Sequence, residues 1–219
     1  MTYPRTDRTT SLRVPEKLGY DVEAANAILD EAHVCHVGYV AADGLPRVLP
    51  TVHARLGDVL YVHGSTGSRA MLEGRGDGLD VCVTVTLLDG LIYSRAWFHH
   101  SANYRCVIAH GKARLVSDAE EKWTALERIV DTYGDGRAAA SRPPTPKELA
   151  QTAVLALPLT EVSVKVRTGG PKDEPEDLDL PYWAGVVPLS LTPGAPVADE
   201  GVTAAPPAHL ARAGATVQS

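Results

Sequence analysis

The stretch Tyr61-Val62-His63-Gly64-Ser65-Thr66-Gly67-Ser68-Arg69 decides how this chain is read. A short apolar strand over 59–62 runs into a loop of glycines and small hydroxyl side chains and ends on an arginine. Glycines let the backbone approach a bound group, free N–H groups and Ser or Thr hydroxyls donate, and a guanidinium adds charge-assisted hydrogen bonds. That is the donor set a phosphate monoester needs. Most Gly/Ser-rich turns merely join strands, so the weight rests on what surrounds this one.

Upstream, Asp21 can cap a helix whose apolar positions Val22, Ala25, Ile28, Leu29 and Ala32 recur at helical spacing. A strand is expected over 34–40, a turn at Ala42-Asp43-Gly44, and a returning strand over 46–52. Leu56-Gly57-Asp58 forms the next turn, and 68–73 a short helix after the loop. Downstream, a β-branched run spans 79–87, Asp89-Gly90 reads as a turn into a partner strand over 91–98, and 107–116 is another strand. Ser117-Asp118-Ala119-Glu120 reads as a capping box ahead of Trp123, Leu126, Val130 and Tyr133 on one helix face. Thr145-Pro146-Lys147-Glu148 is a second box, with an apolar run to Leu157. A strand over 161–166, an acid-rich loop over 168–180 and an apolar segment over 183–191 follow.

Three regions result: a polar surface arm over 1–20, a folded domain over 21–191, and a Pro/Ala-rich tail over 192–219 expected to be disordered. Six or seven short antiparallel strands with three helices predict a mainly β fold, a closed or nearly closed barrel. The βαβ rhythm and its glycine fingerprint are absent, so a phosphorylated cofactor must sit on barrel strands and loops.

Composition narrows the function. With 44% apolar and 22% charged residues the chain is ordinary for one globular domain. A net charge of -6 without a basic run gives no footprint for nucleic acid, and no stretch approaches a membrane span. Cys35, Cys82 and Cys106 lie in apolar strand-like runs, odd in number and far apart, as reduced thiols of a cytoplasmic protein do. His33 and His36, three apart on a strand, face opposite sides, and Cys106 and His110 are over ten ångströms apart at roughly 3.3 Å per residue, so no metal site is expected. No Ser-His-Asp order stands out, and Asp173, Glu174, Glu176, Asp177 and Asp179 read as a solvated loop. Trp97 and Trp123 read as core or interface packing. Chemistry is therefore left to a cofactor.

The chain carries, in order, Tyr20-Asp21 with Ile28 to Glu31, Gly44-Leu45-Pro46 and Pro50, Leu60 to Ser65 with Ser68-Arg69, and Val81 to Gly90. His99-His100-Ser101-Ala102-Asn103-Tyr104-Arg105, Gly111, Val162 to Arg167 and Tyr182 to Pro188 follow. Over roughly 20–190 this pattern resembles the pyridoxamine 5′-phosphate oxidase-like, FMN-binding split-barrel family, and within it the branch containing nitroimidazole reductases.

The resemblance implies a homodimer with two FMN molecules at the subunit interface. Arg47, Val48, Leu49, Pro50 and Thr51 would lie along the isoalloxazine ring, and Ser65, Ser68 and Arg69 would hold the phosphate. Thr84 and Thr86 would be near the ring, Tyr104 and Arg105 would contact ring or phosphate, and Trp183 would pack by the flavin. His63 would touch the cofactor, and His63, His99 or His100 would protonate the product. The implied activity is an FMN-dependent oxidoreductase passing two electrons from a transiently bound nicotinamide to a small organic acceptor, nitroaromatics included. Ala70 stands where pyridoxamine phosphate oxidases have lysine, and Ala184-Gly185-Val186-Val187-Pro188 lacks their arginine and histidine, which speaks against that vitamer as substrate. The alternatives are a haem ligated by a histidine, a deazaflavin in place of FMN, and a flavin-binding module without catalysis.

Overall fold

Apolar side chains at every second strand position build the interior. The computed structural model describes residues 1–11, 17–207 and 210. A two-residue strand β1 (Leu18–Gly19) precedes α1 (Val22–Glu31), β2 (Val34–Val40), β3 (Pro46–Leu56), β4 (Val59–Ser65) and α2 (Arg69–Glu73). Then come β5 (Leu79–Tyr93), β6 (Ser101–Leu115), α3 (Ala119–Asp131), α4 (Pro146–Gln151), β7 (Thr152–Pro158), β8 (Glu161–Arg167) and β9 (Gly185–Pro188). Six antiparallel strands close in the order β6-β7-β4-β3-β2-β5 and back to β6, with β8 and β1 extending from β6 and β9 from β5. The barrel is split because long strands change partners. β3 pairs with β2 up to Val52 and with β4 from His53, while β6 pairs with β8 over 104–110 and with β7 at Arg114 and Leu115.

Two cores flank β4 and β7. Leu60 and Val62 face inward with Val37, Val83, Val107 and Leu155, and α1 packs against them through Ala25, Ile28 and Leu29. The alternate residues Tyr61, Val154 and Ala156 face outward beneath Ala125 and Ile129 of α3. Each large aliphatic side chain buried this way stabilises the fold by roughly 1.5–3 kcal/mol.

Several expectations shift. The Asp89-Gly90 signal is not a turn: β5 runs through it with a register shift between Leu88 and Gly90. Asp89 is held by Arg105 of the neighbouring strand, and a Cβ at Gly90 would come 3.1 Å from the Val187 carbonyl, so the dipeptide marks a bulge beside β9. The connection moves to 94–100, which includes a 3₁₀ turn at Trp97–His99, and β6 starts at Ser101. Trp97 is 95% exposed and Phe98 86%, so neither packs in the core of this chain.

Asp118, not Ser117, caps α3, accepting the Glu121 N–H at 2.7 Å. The Thr145–Glu148 box is present, but its helix ends at Gln151 because the residues from Thr152 alternate between the two cores as β7. The described residues form nine strands in place of six or seven: β1, β7 and β9 are added, and the run over 79–87 and the start of 91–98 merge into β5. The arm is packed down, with Tyr3 and Thr9 buried; its residues 12–16 lie outside the described residues. Residues 192–207 contain no helix or strand, and the rest of the expected tail, 208–209 and 211–219, also lies outside the description.

Candidate functional site

β4 ends at Ser65, and the chain reverses through Thr66 and Gly67 into α2. The Ser68 N–H donates to the Ser65 carbonyl at 2.9 Å, and the Thr66 N–H donates to the Gln151 carbonyl at 3.0 Å. Gly67 N–H donates to Ser65 Oγ at 3.4 Å, while the Ser68 side chain makes no capping bond to α2. The tip of the β2–β3 hairpin meets this turn: Ala42 N–H donates to Glu73 Oε1 at 3.2 Å. There Asp43 Oδ2 accepts from Arg47 Nη2 at 2.8 Å and from Arg69 Nη1 at 3.2 Å. The Leu45 N–H first, then the two guanidiniums, hold the Asp43 carboxyl below its usual range. Two hydroxyls and two cations therefore gather at one tight turn, with an exposed carboxylate between the cations. Arg47, Ser65, Ser68 and Arg69 are brought together. Asp43 was hidden in the sequence because Asp-Gly reads locally as a turn.

The strand residues divide by face. Pro50 pairs with His36, which pairs with Thr84, so the three form one row across β3, β2 and β5. Val48 lies one row on, opposite Gly38 and Cys82, on the same outer face. Arg47, Leu49 and Thr51 point to the other side of β3, and Thr86 shares the face of Thr84.

His63 does not accompany the hydroxyls of the turn. Leu60 and Val62 take the barrel side, so His63 points outward with Tyr61, into a cavity of about 610 Å³ between β4, α3 and α4. Its Nδ1 is buried and has no hydrogen-bond partner among the described residues, and burial pushes the imidazole pKa down, leaving the ring neutral. Trp123 lines the same cavity. His53, which drew no attention in the sequence, is buried and ties β3 to α1 through Nε2 and the Leu29 carbonyl at 2.9 Å.

His99, His100 and Trp183 lie elsewhere. His99 Nε2 is 3.7 Å from Glu174 Oε1, and His100 Nδ1 is 3.1 Å from the Ala96 carbonyl. Tyr93 sits between His100 and Trp183, with ring centroids 6.0 and 5.6 Å away. Asp173, expected to be solvated, has a side chain only 2% exposed; it accepts from Ser94, from the Arg95 N–H at 3.0 Å and from Arg95 Nη1 at 2.8 Å. This pins the 168–183 segment on the β5–β6 connection. The cluster lies at the start of β6, whereas α2 docks at its end, where the Leu115 N–H donates to the Gly74 carbonyl. Along β6 the separation is roughly 46 Å at 3.3 Å per residue. One chain does not bring these histidines to the turn.

Arg105 is committed to two carboxylates. Its Nε and Nη2 reach Asp89 at 2.9 and 2.8 Å, and its Nη1 and Nη2 reach Glu31 at 2.5 and 2.8 Å. Such a pair of bidentate contacts braces α1 against β5 and leaves little for a cofactor. Tyr104 lies under the Lys165 ammonium at 5.8 Å. Among the described residues no group of three His, Cys, Asp or Glu side chains could hold a metal ion, and no helix is long and apolar enough to cross a membrane.

A family model described as pyridoxamine 5′-phosphate oxidase matches residues 21–166. The solved structure of the flavocytochrome Anf3 from Azotobacter vinelandii is 38% identical, with a TM-score of 0.86, covering 94% of this chain and 96% of that one. The structure of an FAD- and haem-binding protein from Mycobacterium smegmatis is 37% identical, with a TM-score of 0.80, covering 87% and 94%. A Bacteroides thetaiotaomicron structure provisionally assigned to 5-nitroimidazole antibiotic resistance, 23% identical at a TM-score of 0.58 over 68% and 86%, shares the fold. No curated protein sequence matches.

Proposed function

We propose a flavin-binding redox function, from the premise that this chain belongs to the pyridoxamine 5′-phosphate oxidase family. The observation that carries the reading is the convergence of Arg47 and Arg69 on Asp43 beside the Ser65 and Ser68 hydroxyls. A ribityl phosphate, which FMN and FAD both possess, fits that donor set, with Asp43 occupying the cations until the phosphate displaces it. FMN ends at this phosphate, and FAD would bring it to the same turn as the first half of its diphosphate. The ring would extend along Val48 to Thr51, with Thr84 two strands away.

A second copy of the chain completes the site in this reading. The outer face of β2 and β3 exposes Val34, Val40 and Val48, the last 68% exposed, and an apolar face of that kind suits a homodimer. The partner would bring its own His99, His100 and Trp183 to a ring that the same chain cannot reach with them. Bound flavin supplies two-electron chemistry between a nicotinamide donor and a small organic acceptor, nitroaromatics included. The chain holds the phosphate, shields the ring and offers His99 or His100 as proton donor to the product. Arg105 drops out of the contact set because Asp89 and Glu31 already hold it.

A haem beside the flavin is the second reading. It is favoured by the two relatives at 38% and 37% identity, a flavocytochrome and an FAD- and haem-binding protein. The absorption spectrum of freshly purified protein tests both groups at once. Arg69→Ala should weaken flavin retention roughly tenfold to a hundredfold, the roughly 1.5–3 kcal/mol of a hydrogen bond to a charged group. Asp43→Asn should tighten it by freeing both guanidiniums. Unchanged retention in Arg69→Ala removes the phosphate assignment. A flavin that stays oxidised under anaerobic nicotinamide removes the proposed electron donor.

A further inference from the structure

A group of cations at the end of β8 has no counter-ion. Lys17, Arg167 and Lys172 line a pocket of about 240 Å³ together with Val166 and Thr168. Among the described residues none of the three is in an ion pair, although the chain holds 27 acidic residues against 21 lysines and arginines. Other arginines do find carboxylates: Arg55 meets Asp30, Arg95 meets Asp173 and Arg114 meets Glu121. Three like charges gathered without one repel each other, and an anion seated between them relieves that repulsion.

Arg167 is held in place without being neutralised. Its Nη1 donates to Asn103 Oδ1 at 2.8 Å, and Asn103 Nδ2 donates to the Gly169 carbonyl at 3.0 Å. A neutral amide fixes the guanidinium and leaves its charge free, whereas Arg105, two residues along β6 from Asn103, faces Asp89 and Glu31. The chain after β8 turns through Gly169, at φ +101°, and returns Lys172 to the pocket. Lys17 is set there by β1, whose Leu18 pairs with Lys165. A metal ion would meet three cations and no carboxylate. A phosphate carries close to two negative charges and several acceptor oxygens, which suit one arginine fork and two ammonium point charges. The pocket is smaller than the roughly 300–1,000 Å³ that holds a whole small molecule, so it fits the phosphate end of a larger ligand.

We propose that Lys17, Arg167 and Lys172 form a phosphate-binding site separate from the flavin turn. Arg167 pairs with Tyr104 near the start of β6, the end that carries His99 and His100, whereas Arg69 lies by the other end. Lys172 immediately precedes Asp173, which Ser94 and Arg95 hold in that same cluster. In the homodimer proposed above this end meets the partner's flavin, so the ligand is a nicotinamide donor carrying a 2′-phosphate. That use rests on the flavin reading, while the pocket rests on its own geometry. Free inorganic phosphate has the same chemistry, and the two sources separate experimentally.

Calorimetric titration of the purified full chain with inorganic pyrophosphate tests the pocket. One pyrophosphate per chain is expected, bound less tightly as salt rises. Arg167→Gln should weaken it roughly tenfold to a hundredfold, the loss of a charge-assisted hydrogen bond. Asn103→Asp keeps the side-chain shape but sets a carboxylate on Arg167, so it should weaken binding at least as much. Lys172→Gln, at an exposed loop position, should also weaken binding and decides the matter if the other two do not fold. Lys147→Gln, exposed on α4, should change nothing. No binding by the wild-type chain, or wild-type affinity in all three pocket variants, overturns the site. Flavin reduction by NADPH and by NADH then identifies the source. Lys172→Gln should raise the KM for NADPH roughly tenfold and leave that for NADH unchanged. Equal effects on both donors overturn the assignment to the 2′-phosphate. A chain without flavin defeats the flavin reading alone, because the pyrophosphate titration still reads the pocket.

Discussion

Three glycines between α2 and β5 separate two kinds of steric cost. Gly76 has φ +70° and nothing within 4 Å of where a Cβ would stand, so Gly76→Ala carries backbone strain alone. Gly74 has φ -73°, ordinary for any residue, but its Cβ would fall 2.5 Å from Cδ2 of the buried Leu155, so Gly74→Ala carries crowding alone. Gly78 combines φ +87° with a Cβ position 2.8 Å from the Ala113 carbonyl, on the strand that pairs with Leu79.

Left-handed backbone costs an ordinary residue about 1–2 kcal/mol, and overpacking about 1–3 kcal/mol. Restricting the unfolded chain returns about 0.4–1 kcal/mol in each variant. The expected losses are about 1 kcal/mol for Gly76→Ala, about 1–2 for Gly74→Ala and about 2–4 for Gly78→Ala. Urea unfolding of flavin-free protein at one fixed concentration reads them as midpoint shifts with an unchanged slope; at about 2 kcal/mol/M the last moves by 1–2 M. Equal losses for Gly76→Ala and Gly78→Ala would refute the reasoning, because the Ala113 contact would then cost nothing. Since α2 carries Arg69, Gly78→Ala should also lower flavin occupancy.

Two titrations follow from buried and paired groups. Burial pushes the Cys35 thiol up to about 12, so in the folded protein Cys35 should resist alkylation at pH 8 and react at the rate of unfolding. The stability from keeping that thiol neutral is fully present below its ordinary value of 9 and is lost as pH rises towards 12; prompt modification of the native protein would contradict this. Glu148 is depressed to about 2 by Arg142 first and then by the Thr145 N–H and hydroxyl. Its contribution is present above the ordinary value of 4.5 and falls away as pH drops towards 2, so carboxyl NMR should place its midpoint near 2. A midpoint near 4.5 would mean that the cap and the ion pair do not form.

Much of the barrel was legible because its signals are local. The Asp21 cap, the alternation over 34–40 and the Thr145 box each depend on residues within one turn or strand, and each forms as expected. Asp89-Gly90 misled because its partners, Arg105 and the Val187 carbonyl, lie 16 or more residues away, where no short-range rule sees them. The same holds for Arg105, whose Glu31 partner is 74 residues distant. His63 was different. Counting by twos from Leu60 and Val62 already places it on the face away from the barrel, but its neighbours across the cavity come from helices that no strand pattern locates. Asp43 was masked by its own local role in the hairpin turn.

The two residues of β1 have a consequence out of proportion to their number. Leu18 and Gly19 occupy the outer margin of β8, opposite Lys165 and Val164, and the Arg8–Glu161 ion pair fastens the preceding chain nearby. Trimming the protein back to α1 would unpair the margin of β8 at Val164 and Lys165, baring amide and carbonyl groups onto which neighbouring molecules can stack. The trimmed protein should cloud on concentration, because Leu18 and Gly19 act as a guard rail against sideways polymerisation.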